Sequence, residues 1–299
     1  MPGAAKKRGR GAALRLVLEP PAVPVRRRRP GRQHPRLSAD ANNRVQGRVN
    51  GRACLVQLDS GAEVTVVFWS AALRLGLVRG GERAVRQEVV LWTGRQALRV
   101  VQLDSVTIEL GGGVQVVTPA TVFPAWLEHQ YDAQAVVLDA HQLRRGAMVQ
   151  LFRPGGSDLL VRRPRRLQGR VRKTRRSVQP DVLTVRVARD GGAAGAPMTM
   201  LLDTGATGVH VSCERRALLL SGRPPPRGLE LDLGGGLCLH AGPLGVVPSN
   251  DHDFILGVAV LCANGAVLDH GRHTLDLRAG AGWWRVFTQP PPRAPRRLY

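Results

Sequence analysis

At 299 residues the chain can bury one large core or two small ones. Phe, Trp and Tyr make up 4% of it, Gly is frequent, and Val and Leu dominate the apolar set, which argues against a helical bundle and for a β-rich fold with many turns. The net charge of +22 is local: eleven Lys/Arg against one Glu in 1–37, nine Lys/Arg in 161–176 and three Arg in the last twelve residues account for it, and the remainder is neutral.

In chain order, residues 1–43 are rich in Arg, Pro, Ala and Gly and read as a disordered basic arm. Order is expected from Arg44. Val45 to Val49 alternates, Asn50-Gly51 turns as a hairpin, and Ala53 to Leu58 is a strand. After it come a buried strand at Val64 to Val67 and a short helix from Ser70 to Leu75, closed by Gly76. Then follow Ala84 to Trp92, a turn at Thr93-Gly94, Ala97 to Leu103, Ser105 to Leu110, a triple-Gly turn, and Val114 to Phe123. Ala133 to Asp139 is another strand, a helix-like Ala140 to Arg144 follows, and Met148 to Phe152 with Asp158 to Val161 reads as a closing hairpin. Residues 162–178 are an Arg-rich linker.

The second half, 179–287, repeats this order. Asp181 to Val187 and Pro197 to Leu202 are strands, Val209 to Ser212 is another, and Glu214 to Leu220 is helix-like. Strands surround a second triple-Gly turn, and Phe254-Ile255-Leu256-Gly257 leads to Val258 to Leu261 and closing strands. Residues 288–299 read as a flexible tail. The first half, 44–161, has a hairpin tipped by Trp92, Thr93 and Gly94 that the second half lacks.

Four Cys are scattered without a CxxC pair and read as core residues of a reduced compartment. Nothing completes a zinc site around Cys238 and His240, so no metal and no cofactor is expected. The run Ala12 to Leu18 is short and broken by Arg15, so a signal peptide is not expected. No apolar run is long enough for a bilayer. These features predict an intracellular protein, cytoplasmic or nuclear, that is not secreted and not in a membrane. The Arg-rich segments suit non-specific contact with nucleic acid or another polyanion.

The informative motif occurs twice. Leu58-Asp59-Ser60-Gly61-Ala62 and Leu202-Asp203-Thr204-Gly205-Ala206 each join two apolar runs, with the aspartates 144 residues apart. A single Asp-hydroxyl-Gly is ordinary turn chemistry. Two copies in similar surroundings point to two carboxylates meeting at a pseudo-two-fold axis. Two close carboxylates cannot both ionise easily, so they share a proton and hold an acid and a base at once. Ser60 and Thr204 can hydrogen-bond across to the opposite turn. Gly61 and Gly205 let backbone approach the carboxylates, and Ala62 and Ala206 are small enough for a crowded interface.

These residues resemble the retropepsin-like aspartic proteases of retroviruses and long-terminal-repeat retroelements. Both turns match the family's catalytic motif, including the Ala after Gly, and Ile255-Leu256-Gly257 resembles its second signature, with Gly257 packed behind the turn. The resemblance implies an all-β fold of two acid-protease lobes, an Asp59/Asp203 dyad that activates water to cut peptide bonds, and a flap carrying Trp92. It also implies a polypeptide substrate, with polyprotein processing one such role. Two departures stand out. Retropepsins pair two copies of one lobe, whereas this chain carries both, as pepsins do, and so is expected to be a monomer. And the first lobe has Val137-Leu138-Asp139 where Gly is expected, which implies a solvated, altered turn or a shifted alignment. The residues leave two other readings open: a catalytically inactive, protease-derived module that binds nucleic acid or protein through its basic arms, and a nucleic-acid-binding structural protein in which the turns are incidental.

Overall fold

The computed structural model describes residues 14–25, 34–91, 94–130, 135–162, 166–168, 181–189, 192–219, 228–234, 237–248, 251–279 and 281–288. The fold is all-β, built as three sheets with a few helices of one or two turns. No helix among the described residues is long and apolar enough to cross a membrane.

The first sheet has eight strands, ordered Arg166–Gln168, Gln115–Phe123, Val66–Phe68, Ala135–Leu138, Arg52–Leu58, Arg44–Val49, Gly94–Glu109 and Val85–Leu91. Strand Gly94–Glu109 also pairs with Gln115–Phe123, which curls the sheet on itself. Local chemistry sets its first hairpin. Asn50 and Gly51 both have positive φ, 47° and 81°, so a two-residue turn joins Val49 to its partner Arg52. The apolar faces of these strands enclose one core, in which Val45, Val56, Leu58, Ile108, Val116, Val136 and Leu138 are buried.

The second sheet also has eight strands, ordered Leu237–Gly242, Leu229–Gly234, Leu14–Glu19, Val182–Arg189, Gly192–Asp203, Phe254–Gly257, Val209–Ser212 and Leu244–Val247. Its third member comes from the far end of the chain. Leu14–Glu19 runs antiparallel to Val182–Arg189, with Leu18 opposite Val185, and parallel to Leu229–Gly234, with Leu16 opposite Leu231. Leu16 and Leu18 are fully buried in the second core. Arg15 and Glu19 point outward and pair with Asp232 and Arg186, each at 2.6 Å.

The reading of 1–43 as a disordered arm is therefore corrected. Val23–Val25 and Arg36–Ala39 are strands as well. The run Leu14-Arg15-Leu16-Val17-Leu18-Glu19 carries the period-2 alternation of a half-buried strand, inside a segment whose composition is that of a tail. The linker reading is corrected in part, because Arg166–Gln168 pairs in parallel with Gln115–Val117. The remainder of 163–180, and the tail beyond Thr288, lie outside the described residues.

The third sheet draws on both halves and on the arm. Its seven strands are Val23–Val25, Gly282–Phe287, Thr274–Ala279, Val267–Asp269, Met148–Arg153, Gly156–Val161 and Arg36–Ala39. The join between the halves is the pairing of Val149, Gln150 and Leu151 with Asp269, Leu268 and Val267. Val258–Ala263 is a helix despite its β-branched, apolar sequence. Its side chains at Val258, Val260, Leu261 and Cys262 are buried, so it needs no polar face.

Candidate active site

Each Asp-hydroxyl-Gly turn sits between an incoming strand and a strand that crosses behind it. Arg52–Leu58 leads into Asp59, and Leu138 lies opposite Leu58 in parallel register. Gly192–Asp203 carries Asp203 at its end, and Leu256 and Gly257 lie opposite Leu202 and Asp203. The two turns thus hang from equivalent frames.

The frames place the turns against one another. Ser60 N–H donates to Thr204 Oγ1 at 3.0 Å, and Thr204 N–H donates to Ser60 Oγ at 3.0 Å. Each hydroxyl then donates onward to the carbonyl preceding the opposite aspartate: Ser60 Oγ to Leu202 O at 2.7 Å, and Thr204 Oγ1 to Leu58 O at 2.8 Å. Both hydroxyl residues are fully buried, and this four-bond lattice has two-fold symmetry. Gln57 adds a bond from its side-chain amide to Gly205 O at 3.3 Å.

Asp59 Oδ1 accepts from Gly61 N–H at 2.8 Å and Ala62 N–H at 3.1 Å, and Asp203 Oδ1 accepts from Gly205 and Ala206 at the same distances. Each carboxylate lies over the other turn's glycine. A Cβ at Gly61 would be 2.6 Å from Asp203 Cγ, and one at Gly205 would be 2.4 Å from Asp59 Oδ2. The two carboxyl groups lie close enough to act on each other's charge. Burial raises the pKa of Asp59 well above the usual carboxylate range, and the charge of Asp203 raises it further, against the two amide donors that lower it. Such a pair holds a shared proton. Among the described residues no cluster of His, Cys, Asp or Glu could hold a metal ion.

The supporting positions differ between halves. A Cβ at Gly257 would lie 2.4 Å from Gly208 O and 2.5 Å from Ala206 O, so only glycine fits there without displacing backbone. Asp139 occupies the matching place in the first half and is buried. The expectations of a solvated turn or a shifted alignment both give way. The registers match, Leu58 with Leu138 and Leu202 with Leu256, and Asp139 caps the helix Ala140–Arg145 by accepting from Gln142 N–H at 3.0 Å. Its second oxygen accepts from Thr65 Oγ1 at 2.5 Å. Burial raises the pKa of Asp139, and these donors oppose the rise.

The hairpin of the first half is formed by Val85–Leu91 and Gly94–Glu109, with Leu91 opposite Gly94. Trp92 and Thr93 lie outside the described residues. The turn-side half of the hairpin, Val89, Leu91 and Leu98, packs on Val66, Phe68, Phe123 and Leu127. In the second half only residues 220–228 separate the helix Cys213–Leu219 from the strand Leu229–Gly234, too short a stretch for a hairpin of this length.

Several residues at the site carry no motif. His210, on the strand leaving the second turn, lies near Asp203; burial lowers its pKa and the negative Asp203 opposes that. Asn43 and Asp181 hold the backbone N–H groups of Leu58 and Leu202 through their carbonyls, both at 2.9 Å. Isolated letters far apart in the chain give no spacing from which to find such partners.

Residues 45–147 match the family model described as aspartyl protease. No curated protein matches the chain. Among solved structures, the crystal structure of the retroviral protease-like domain of Ddi1 from Leishmania major is similar at 23% identity over 35% of this chain and 77% of that one, with a TM-score of 0.27. By its motifs and by the match over residues 45–147, the chain is similar to the aspartyl proteases of the retropepsin-like group.

Proposed function

We propose that the protein is a single-chain aspartic endopeptidase whose two lobes, 44–161 and 179–287, each contribute one aspartate to an Asp59/Asp203 dyad. The observation that carries this is the mutual placement of the two turns: neighbouring carboxyls, each over the other's glycine, locked by the crossed bonds of Ser60 and Thr204. The pair holds one proton between its two apparent pKa values. The ionised carboxylate takes a proton from water as the oxygen attacks the scissile carbonyl, and the protonated partner gives its proton to the carbonyl oxygen. The newly protonated carboxyl then gives its proton to the amide nitrogen while the other carboxylate takes one from a hydroxyl of the tetrahedral intermediate, so the amine leaves, the acid forms and the dyad keeps one proton.

Proton sharing of this kind is general to aspartic-protease dyads and needs neither metal nor covalent intermediate. The substrate is an extended polypeptide, paired through its backbone under the hairpin Val85–Leu91 and Gly94–Glu109. Ala62, Ala206 and Gly94 are its proposed contacts among the described residues. Both aspartates come from one chain, so the active particle is a monomer.

The test is cleavage of a peptide library by the wild type, Asp59→Asn and Asp203→Asn, with a pepstatin-type inhibitor as control. Cleavage by the wild type, lost in each variant, is the expected result. Cleavage that survives either substitution overturns the dyad. An active particle with the mass of two chains overturns the single-chain form.

A further inference from the structure

Each half presents a row of side chains that begins beside its aspartate. In the first half Val56 and Leu58 are buried in the core, so Gln57 between them points to the opposite face of the sheet. Its lateral neighbours there are Arg44 on one side and Val137 on the other, and Val66 lies beyond Val137. Val66 and Val137 pack with the turn-side half of the hairpin, through Val89, Leu91 and Leu98. The row therefore runs from beside the dyad to the hairpin, which is where an extended substrate would lie. In the second half the same registers give Val182, Leu201, Ile255 and His210.

The rows differ where they meet the aspartates. Gln57 is half-buried, and its Nε2 donates across the halves to Gly205 O. Leu201, at the matching place, is buried in an apolar group with Val182, Ala206, Val247 and Ile255. A carboxamide thus stands on one side of the dyad and a closed apolar wall on the other. The carboxamide is not committed to the lattice between the turns. The crossed bonds of Ser60 and Thr204 measure 2.7 to 3.0 Å, whereas Gln57 Nε2 is 3.3 Å from Gly205 O, beyond the usual N–H···O range. A better acceptor can displace so long a bond.

Two further observations narrow the class of group that fits. Among the described residues Gln57 Oε1 accepts no hydrogen bond. The side chain therefore offers an acceptor and an exchangeable donor, the two-point pattern that another carboxamide matches. Arg44, next to Gln57 in the row, holds Asp40 Oδ2 through Nε and Nη2, both at 2.9 Å. Its charge is met there, so the row presents hydrogen bonds without a cation to spare. A carboxylate brought against Gln57 would give up its water for no opposite charge, and a carboxamide gives up far less.

We propose that Gln57 is a specificity-determining residue: it selects substrates with Gln or Asn at one of the two positions flanking the cut bond, the one that faces the first half. The two-fold relation of the turns sets one flanking residue against each half. The position facing the second half, where Leu201 replaces Gln57, gains nothing from a carboxamide. This rests on the peptidase reading of the turns, which places the bond at the dyad.

The test uses the full-length chain and short peptides whose central amide is reduced to CH2–NH, so that they bind without being cut. Gln at each flanking residue is compared with norleucine, an apolar side chain of similar length. The expected result is a Kd about tenfold lower for Gln at one flanking residue, and equal values at the other. Gln57→Met keeps the length and removes both hydrogen-bonding atoms, and Gln57→Leu installs the residue of the second half. Each is expected to abolish the tenfold ratio, whereas a purely structural Gln57 would shift every Kd together and leave the ratio standing. Equal Kd values for Gln and norleucine at both positions overturn the assignment, and so does a ratio that survives in either variant, or binding of none of the peptides. A peptide with Glu is expected to bind no better than one with norleucine; a Glu preferred over Gln overturns the uncharged character of the row. Discrimination of Gln from norleucine, with no cleavage of the same peptides carrying an ordinary amide, sinks the peptidase reading alone.

Discussion

Gly205 lies directly against the carboxylate of Asp59, where a Cβ would meet Oδ2 at 2.4 Å and Cγ at 2.6 Å. The carboxylate is itself held by two amides, so it has no slack to give. Gly205→Ala must therefore push the turns apart. A displacement near 1 Å at reacting groups costs on the order of a hundredfold in rate. Gly205→Ala is expected to lose at least that much in kcat/KM while circular dichroism stays that of a β protein. Retention of wild-type kcat/KM would refute the stated geometry.

The raised pKa of Asp59 makes a stability prediction with a definite sign. The folded state binds the proton more tightly than the unfolded chain, so this contribution is complete below the ordinary carboxylate pKa and is lost as pH rises through the raised value. Denaturant unfolding from acid to neutral pH should show stability falling across that window, and Asp59→Asn should flatten the fall. Asp181 works the other way. With its pKa held far below the usual range, its contribution is present above the ordinary carboxylate pKa and is lost only in strong acid.

Asp139 and Gly257 occupy matching corners but answer differently to substitution. Asp139→Gly installs the residue the resemblance calls for, yet it removes a helix cap and the partner of Thr65. It is expected to destabilise the protein by about 1 kcal/mol. Gly257→Ala drives a methyl into two backbone carbonyls at 2.4 and 2.5 Å, a clash that relaxes only by moving the second turn. Chemical denaturation should rank Gly257→Ala as the more damaging change, and the reverse order would contradict the assigned corners.

Leu18 buries its side chain between two strands that come from the other half of the chain. Leu18→Ala is expected to cost about 2–5 kcal/mol, the usual range for a large-to-small change in a core. Val17→Ala, on the outer face of the same strand, should cost far less. Equal effects in equilibrium unfolding would show that Leu14–Glu19 is not seated in the sheet.

What can be read from the sequence is what is encoded locally. The Asn50-Gly51 turn, the alternating strands around it and the two Asp-hydroxyl-Gly turns each declare themselves within a few residues. Leu14–Glu19 does not, because its alternation sits in an Arg- and Pro-rich stretch and its partners lie in 182–189 and 229–234. Asn43 and Asp181, which hold the Leu58 and Leu202 amides, do not either. Each is a single polar letter whose meaning depends on register across three sheets. Asp139 reads as an intruder because glycine is expected at that corner, and its cap to Gln142 follows from a helix start that the sequence marks only weakly.

The placement of Leu14–Glu19 also orders events on the ribosome. This strand is made well before the strands on either side of it, 182–189 and 229–234. Until those two strands emerge it is an apolar strand with both edges unpaired, a state prone to wrong pairing and to capture by chaperones. The second sheet is incomplete until this earlier strand is recovered, so a nascent chain carries Asp59 long before it carries a finished partner for it. On the proposed peptidase reading, a chain assembled in this way stays silent while it is being synthesised.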